Sequence, residues 1–193
     1  LAVAGSPVQS AAGSLPQLPT PAAGLDVVIV DAPAVREGQN RKPGVHIAVG
    51  FAAGSWSGAA IYESVDGTTW DLIDIASKRS ATGTFNTDLG SGTVAEYVGL
   101  PYLPPPTDSS YVTVTMTPYG AGQLTSRTNK EIAAGANWCA LVRPDGTTEI
   151  AAFSTVTALG NNQFTLSNWL RGLRGTGHPY SKVCLLYTSP SPR

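Results

Sequence analysis

The stretch YVTVTMT at residues 111–117 limits the possible folds of this chain more than any other stretch does. Val112, Val114 and Met116 alternate with Tyr111 and three threonines, so apolar side chains point one way and polar ones the other. This is the pattern of a strand with one buried face. Nowhere does the sequence place apolar residues at helical spacing over three turns. We therefore expect an all-β fold.

Other β-prone runs recur along the chain and are separated by turn residues. They are DVVIVDAP (26–33), GVHIAVGF (44–51), GAAIYESV (58–65), ANWCALVR (136–143), TTEIAAFSTVTAL (147–159) and NNQFTLSNWL (161–170). The segments RPDGT (143–147) and LGNN (159–162) supply the residues that hairpin turns with positive φ require. We expect an antiparallel sandwich or barrel-like sheets, with hairpins and long Pro/Gly-rich loops, truncated at both ends.

Changes in composition suggest how the chain is organised. Residues 1–25 are small, uncharged and proline-rich, which is typical of a linker or of an incomplete preceding element. Residues 26–183 form the expected β-rich domain. A sub-boundary is placed at GLPYLPPPTDSS (99–110), because a proline triplet cannot donate to a sheet and favours a rim loop or a hinge.

Residues 184–193, CLLYTSPSPR, differ abruptly from what precedes them. When back-translated they resemble a transposase-end sequencing adapter read in frame, so we expect an artefactual tail that the domain does not need. The run VCLLYT is nevertheless β-prone and can pair as a strand. Without the tail, Cys139 is the remaining cysteine, so no internal disulfide is expected. Its apolar setting in NWCALV predicts a buried, inert thiol.

Low charge excludes several classes of function. Charged residues make up 13% of the chain and the formal net charge is −1. A basic field of the kind that attracts nucleic acid is therefore absent, and no direct nucleic-acid binding is expected. No apolar run approaches the roughly 20 residues of a membrane-spanning helix, so no membrane span is expected. The chain starts at Leu1 with no charged segment typical of a signal peptide, and we expect it to be part of something longer.

The segment ESVDGTTW (63–70) resembles the Asp-box of sialidase-type propellers, with one residue missing between Asp66 and Gly67. In such a turn we expect the Asp66 carboxylate to cap backbone N–H groups, Gly67 to adopt a positive φ, and Trp70 to pack beneath. A propeller would carry several copies at regular spacing, and this chain has one. The box is therefore interpreted as a structural turn, and an Asp-box glycosidase is the weaker reading.

Residue types that carry catalysis or bind metals are sparse. His46 and His178 are far apart and have no Cys or Asp pattern around them, so a zinc site is not indicated. Four carboxylates around one hairpin could bind Ca²⁺, although solvated turn residues explain them better: Glu63, Asp66, Asp71 and Asp74. No nucleophile elbow or Walker-type loop occurs. We expect no enzyme activity in this chain, no catalytic residue, no cofactor and no metal.

The loop WLRGLRGTGHP (169–179) is the strongest candidate motif. A phosphate-binding loop would open a helix, which Pro179 disfavours here. Arg171 and Arg174 are instead expected to bind carboxylates or carbonyls, with Glu149 as a candidate partner, and anion binding is the minority reading. The motif residues are Arg171, Gly172, Arg174, Gly175 and Thr176.

The same loop carries a family resemblance. NWLRGLRGT resembles the Leu-Leu-Arg-Gly-Arg-Arg-Gly-Thr motif near the C-terminus of phage tail-tip proteins, which include the large baseplate protein of gene transfer agents and related siphophage tail proteins. Residues 44–73 and 122–176 resemble further blocks of that family in order, and the resemblance covers residues 26–183. Leu173 stands where the family often has arginine, and Gly177 replaces an acidic residue. Both departures weaken a charge-based role for the loop.

The resemblance implies a structural component of a tail tip or baseplate, located in the virion after synthesis in the bacterial cytoplasm. It would contribute to distal tail assembly and to host attachment or DNA delivery. Its expected partners are other tail proteins and further copies of itself, and a host cell-surface glycan is a further candidate. The alternative is a carbohydrate-binding β-domain that stacks sugars on Trp56, Trp70 or Tyr62.

Overall fold

The computed structural model describes residues 2–4, 24–32, 45–51, 55–87, 108–143, 145–176 and 185–188. Within these ranges the chain forms antiparallel strands and two helices of four and five residues. The all-β expectation is confirmed. The sub-boundary expected at residues 99–110 lies mostly outside the described residues, and its last three positions begin a strand.

The elements follow one another along the chain in an almost continuous series of strands. The strands are β1 (Ala2–Ala4), β2 (Leu25–Val30), β3 (His46–Phe51), β4 (Ala59–Glu63), β5 (Asp71–Ala76), β6 (Ala81–Phe85), β7 (Asp108–Met116), β8 (Trp138–Val142), β9 (Thr148–Gly160), β10 (Gln163–Leu173) and β11 (Leu185–Thr188). The helices α1 (Pro118–Ala121) and α2 (Asn129–Ala133) lie between β7 and β8.

A closed barrel of six strands forms the centre of the structure, in the order β10-β7-β6-β11-β8-β9. The two hairpins expected from the sequence are present: β8 pairs with β9 across residues 143–147, and β9 pairs with β10 across residues 160–162. In the second turn Gly160, Asn161 and Asn162 all have positive φ. Asparagine and glycine tolerate this conformation best, which explains the sequence of that turn.

Alternation along β7 fills the barrel interior. Val112, Val114 and Met116 are buried, whereas 69% of Tyr111 is exposed. These three side chains pack with residues from β6, β8, β9 and β10 in a single cluster: Ala81, Phe85, Cys139, Leu141, Ala151, Phe153, Leu166 and Trp169. The rings of Phe153 and Trp169 meet edge to face with centroids 5.4 Å apart.

A second apolar cluster covers the outer face of β8, β9 and β10. It combines Val28 and Val30 of β2 with Ala48 of β3, Ile132 of α2 and apolar residues of the three barrel strands. Because both faces of these strands are covered, most residues of β8 and of the first half of β9 are buried. The β2–β3 hairpin therefore belongs to the same packed body as the barrel.

A three-stranded sheet, in the order β1-β4-β5, lies outside the barrel. Residues 2–4 form β1, which pairs with β4, and the interpretation of residues 1–25 as a linker or an incomplete preceding element stays a prediction. Residues 5–23 lie outside the described part of the chain. Strand β5 is exposed along most of its length, including Leu72, Ile73 and Ile75.

The last described segment closes the barrel. Strand β11 pairs antiparallel with β6 on one side and with β8 on the other. The last four residues of the β-prone run VCLLYT, Leu185–Thr188, thus form the strand that their sequence allows. That residues 184–193 are an artefactual tail stays a prediction.

Candidate functional site

A buried ion pair anchors the Arg-Gly motif. The Arg171 guanidinium donates from Nε to Glu149 Oε1 at 2.6 Å and from Nη2 to Glu149 Oε2 at 2.7 Å. The backbone N–H of Gly172 donates to the same Oε1 at 3.1 Å. Both side chains are almost completely buried, with 1% of Arg171 and none of Glu149 exposed. The partner expected for Arg171 from the sequence is confirmed.

The strand pattern explains why these two groups meet. Ala151 and Phe153 of β9 belong to the interior cluster, and Glu149 precedes them on the same face of the strand. Trp169 of β10 belongs to the same cluster, and Arg171 follows it by two positions. Both charged side chains therefore lie at one end of the barrel interior, where each needs the other in order to be buried.

A second arginine stands beside the pair, and the sequence reasoning missed it. Arg143 Nη2 lies 3.9 Å from Glu149 Oε2, and 10% of the Arg143 side chain is exposed. Arg143 Nη1 also donates to Thr147 Oγ1 at 3.3 Å. The expected β8–β9 hairpin already indicated that Arg143 lies near Glu149. Leu141 lies opposite Glu149 in that hairpin, and Arg143 is two residues further along the chain.

The turn after the ion pair uses the remaining motif residues. Gly172, Arg174 and Gly175 have φ values of 67°, 59° and 76°. The Thr176 hydroxyl donates to the Leu173 carbonyl at 2.6 Å and accepts the Ile150 N–H at 2.8 Å. These two bonds fasten the turn to β9, so Thr176 is buried although it is polar.

Arg174 is placed differently from Arg171. It is exposed, and its guanidinium lies 5.7 Å from the ring centroid of Trp138. The Trp138 indole donates to the Ile132 carbonyl at 2.9 Å, which fixes the ring under the cation. The two arginines, which the sequence analysis treated alike, thus occupy different environments: one is buried against a carboxylate, the other is stacked on an aromatic surface.

The Asp-box-like segment forms the turn expected of it. The Asp66 carboxylate accepts the N–H groups of Thr68 and Thr69 at 2.8 and 2.7 Å, and Gly67 has a φ of 74°. Hydrogen bonds from Thr69 and Thr68 hold the pKa of Asp66 well below its usual range. Trp70 is half-buried. The carboxylate is engaged in holding its own turn.

The acidic residues around this hairpin do not converge on a cation. Within the part of the chain that the structure describes, no group of three or more potential metal ligands is found. Asp74 accepts the N–H of Ile75 at 2.7 Å, and Asp66 is bound to its turn. Glu63 and Asp71 are exposed at facing ends of β4 and β5.

The aromatic residues considered for sugar binding are partly used in packing. The Trp56 indole donates to the Ser77 carbonyl at 2.9 Å, and its ring lies against Phe51 with centroids 6.4 Å apart. Trp56 also packs on the small cluster formed by β3 and β4. Tyr62 is half-buried in β4.

The remaining candidates are one cysteine and two histidines. Cys139 is buried, and burial raises the pKa of its thiol far above the usual range. Its Sγ donates to the Ala151 carbonyl at 3.4 Å, so the expectation of a buried thiol is confirmed. His46 begins β3, and His178 lies outside the described residues.

No helix among the described residues combines the length and apolar character needed to cross a membrane.

Comparison with known proteins identifies one family. The family model described as "Rcc01698-like, C-terminal" matches residues 80–183, more than half of the 193-residue chain. No curated protein and no solved structure matches the chain significantly. The matched segment contains β6 to β10, both helices and the ion pair between Arg171 and Glu149. The chain therefore belongs to the Rcc01698-like family and contains its C-terminal domain.

Proposed function

We propose that this chain is a structural component of the distal tail, the tip or baseplate, of a phage or phage-like particle. The observation that carries the proposal is the family match over residues 80–183. The match includes the Arg-Gly motif through which the chain resembles tail-tip proteins. The role would be distal tail assembly, with a contribution to host attachment or DNA delivery.

The use of the motif residues supports a structural role. Arg171 and Glu149 are paired by two hydrogen bonds inside the barrel. The Thr176 hydroxyl accepts a backbone N–H of β9 and so holds the turn against that strand. A guanidinium whose planar edge is already bound to a carboxylate is poorly placed to bind an external anion. The motif thus holds two barrel strands together, as expected of a protein whose task is to keep its shape within an assembly.

Exposed apolar surface on an edge strand supports assembly. Leu72, Ile73 and Ile75 of β5 are 52%, 49% and 59% exposed. Among the described strands, β5 pairs only with β4, and no described strand pairs with its other edge. Apolar residues on an open strand edge favour contact with another protein chain. Neighbouring tail proteins and further copies of this chain are the proposed partners.

Sugar binding is the weaker alternative. Stacking of a sugar ring needs an aromatic face that is open to solvent. Trp56 is instead packed against Phe51 and held by Ser77, and Tyr62 is half-buried. A glycan array that shows binding by the wild-type chain and loss of binding by Trp56→Ala would favour this alternative.

Immunogold electron microscopy tests the proposal. Antibodies raised against the purified chain are applied to phage-like particles from the bacterium that carries the gene, with a capsid-specific antibody as the control. Gold particles should lie at the distal end of the tail. Labelling confined to capsids, or no labelling of particles that the control antibody detects, would contradict a tail-tip location.

A further inference from the structure

The second apolar cluster covers only part of the outer face of the barrel among the described residues. It includes Ile150 and Ala152 in the first half of β9 and Leu170 near the end of β10. In the second half of β9 and the first half of β10, the outward side chains are half-buried or exposed. These two segments and β7 lie side by side, so together they form one open surface on the barrel.

The strand register shows which side chains share this surface. Val112 of β7 belongs to the interior cluster, so Tyr111 and Thr113 on either side of it point outward. Ser167 of β10 lies opposite Tyr111, and Thr155 of β9 lies opposite Ser167. The whole group, named the hydroxyl face below, consists of Tyr111, Thr113, Thr115, Thr155, Thr157, Gln163, Thr165, Ser167 and Asn168.

A break in the alternation of β10 adds an amide to the hydroxyl face. Leu166 and Trp169 both belong to the interior cluster, and Asn168 between them has a φ of 56°. The register with β7 shifts at the same point. Asn168 is therefore exposed on the outside, where its Nδ2 donates to Thr155 Oγ1 at 2.8 Å. Such irregularities re-aim side chains, and this one fixes an amide on the same face as Tyr111.

The hydroxyl face has no charged member. Residues 109–117 and 150–170, which contain the whole face, include no Asp, Glu, Lys, Arg or His. A phosphate or a carboxylate would therefore find no counter-charge on these strands. Within the described part of the chain, no hydrogen bond is found for the side chains of Tyr111, Thr165 or Ser167. Their hydroxyls can both donate to and accept from a neutral ligand.

Tyr111 gives the hydroxyl face an aromatic ring that is open to solvent. The residue is 69% exposed, whereas Trp56, Trp70 and Tyr62 are half-buried. A sugar ring has C–H groups on its faces and hydroxyls around its edge. It is held best by an exposed aromatic ring with neutral hydrogen-bonding groups beside it. The hydroxyl face combines both, at a place different from the three aromatic residues that the sequence suggested.

We propose that the hydroxyl face binds a neutral oligosaccharide, with one sugar ring stacked on Tyr111 and its hydroxyls bonded to Ser167 and Asn168. A protein partner fits this surface less well, because the centre of a protein interface is apolar. Apart from Tyr111, the members of the face are threonines, a serine and two amides. Leu159, which is 55% exposed, lies beyond them next to the β9–β10 turn. The inference rests on register, exposure and charge, so it can hold or fail independently of the proposed tail location.

Binding of the full chain to an array of immobilised neutral and anionic oligosaccharides tests this proposal. The chain is biotinylated at its N-terminus and presented on streptavidin, because several linked copies strengthen weak binding. Wild type should bind neutral members of the array. Raising the salt concentration from about 0.05 M to about 0.5 M should leave this binding intact, since salt weakens only interactions between charges.

Three variants and one control locate the site. Tyr111→Ala should weaken binding at least about tenfold by removing the ring, and Tyr111→Phe should retain binding. Asn168→Gly removes the amide while keeping a residue that accepts a positive φ, and it should also weaken binding. The matched control is Leu72→Ala, because Leu72 is a 52% exposed strand residue outside the hydroxyl face. Urea unfolding of each variant confirms that it is folded.

Several results would overturn the proposal. They are no binding of wild type to any neutral oligosaccharide, a preference for anionic ones, and equal binding by wild type and Tyr111→Ala. A loss in Tyr111→Phe as large as that in Tyr111→Ala would show that no sugar stacks on the ring. A wild-type chain that binds no glycan but forms a dimer in sedimentation, which Tyr111→Ala abolishes, would assign the face to contact between copies instead.

Discussion

Replacing Arg171 with lysine separates the charge of this residue from its shape. The guanidinium makes two short parallel bonds to Glu149 in a site where 1% of the arginine is exposed. An ammonium keeps the charge but cannot reproduce the planar pair of donors. We expect Arg171→Lys to lower the free energy of unfolding by about 1–3 kcal/mol, the range for losing a charge-assisted hydrogen bond. Arg171→Met leaves Glu149 buried without its main partner and should cost more, about 3–5 kcal/mol.

Urea unfolding followed by tryptophan fluorescence, to which the buried Trp169 contributes, measures these changes. With a slope of about 2 kcal/mol per molar urea, the lysine variant should unfold at a urea concentration lower by about 0.5–1.5 M. The matched control is Arg127→Lys, because Arg127 and Glu131 form an exposed pair that contributes little to stability.

Two outcomes would refute the structural reading of Arg171. One is a midpoint for Arg171→Lys that equals that of the Arg127→Lys control. The other is a wild-type chain that phosphate stabilises and an Arg171→Lys chain that it does not, since this pattern belongs to an anion-binding loop.

Three further changes test other parts of the structure. Gly172→Ala should cost about 1–2 kcal/mol in urea unfolding because φ is 67°; Gly122→Ala, at a φ of −72°, is the control and should change little. Thr176→Val should cost about 1–3 kcal/mol, measured the same way, because it leaves a buried N–H of β9 without an acceptor, whereas equal stability of Thr176→Val and Thr176→Ser would contradict this. Folding lowers the pKa of Asp66, so its carboxylate stabilises the fold fully above about pH 4 and progressively less as the pH falls towards the lowered pKa. The difference in melting temperature between wild type and Asp66→Ala should therefore narrow between pH 6 and pH 2. A constant difference would contradict this prediction.

Local sequence chemistry was sufficient to predict the strands and turns that depend on neighbouring residues. The alternation in β7, the RPDGT hairpin and the LGNN hairpin each follow from side-chain periodicity or from residues that tolerate positive φ. The pairing of Arg171 with Glu149 was also foreseen, because two adjacent strands each carried a charged residue within an apolar run. At these positions the local preference and the final packing agree.

Features that depend on distant parts of the chain were missed. The closing of the barrel by β11 joins segments that are far apart in sequence, and no local pattern indicates which edges meet. The stacking of Arg174 on Trp138 depends on how the turn packs over β8. Helix α2 is different, because Thr128 and Glu131 form a capping box that was readable in the sequence. A search limited to three turns of helical periodicity does not detect a helix of five residues.

The order of strands in the barrel also has a consequence for the folding rate. Strands β8, β9 and β10 form two consecutive hairpins, so they can pair with little loss of chain entropy. Strand β6 meets β11 from the opposite end of the barrel sequence, and that pairing has to wait until both segments are available. We therefore expect closure to be the slow step. Until it occurs, the partly folded chain presents the bare edges of β6 and β8, and aggregation competes with folding during this interval.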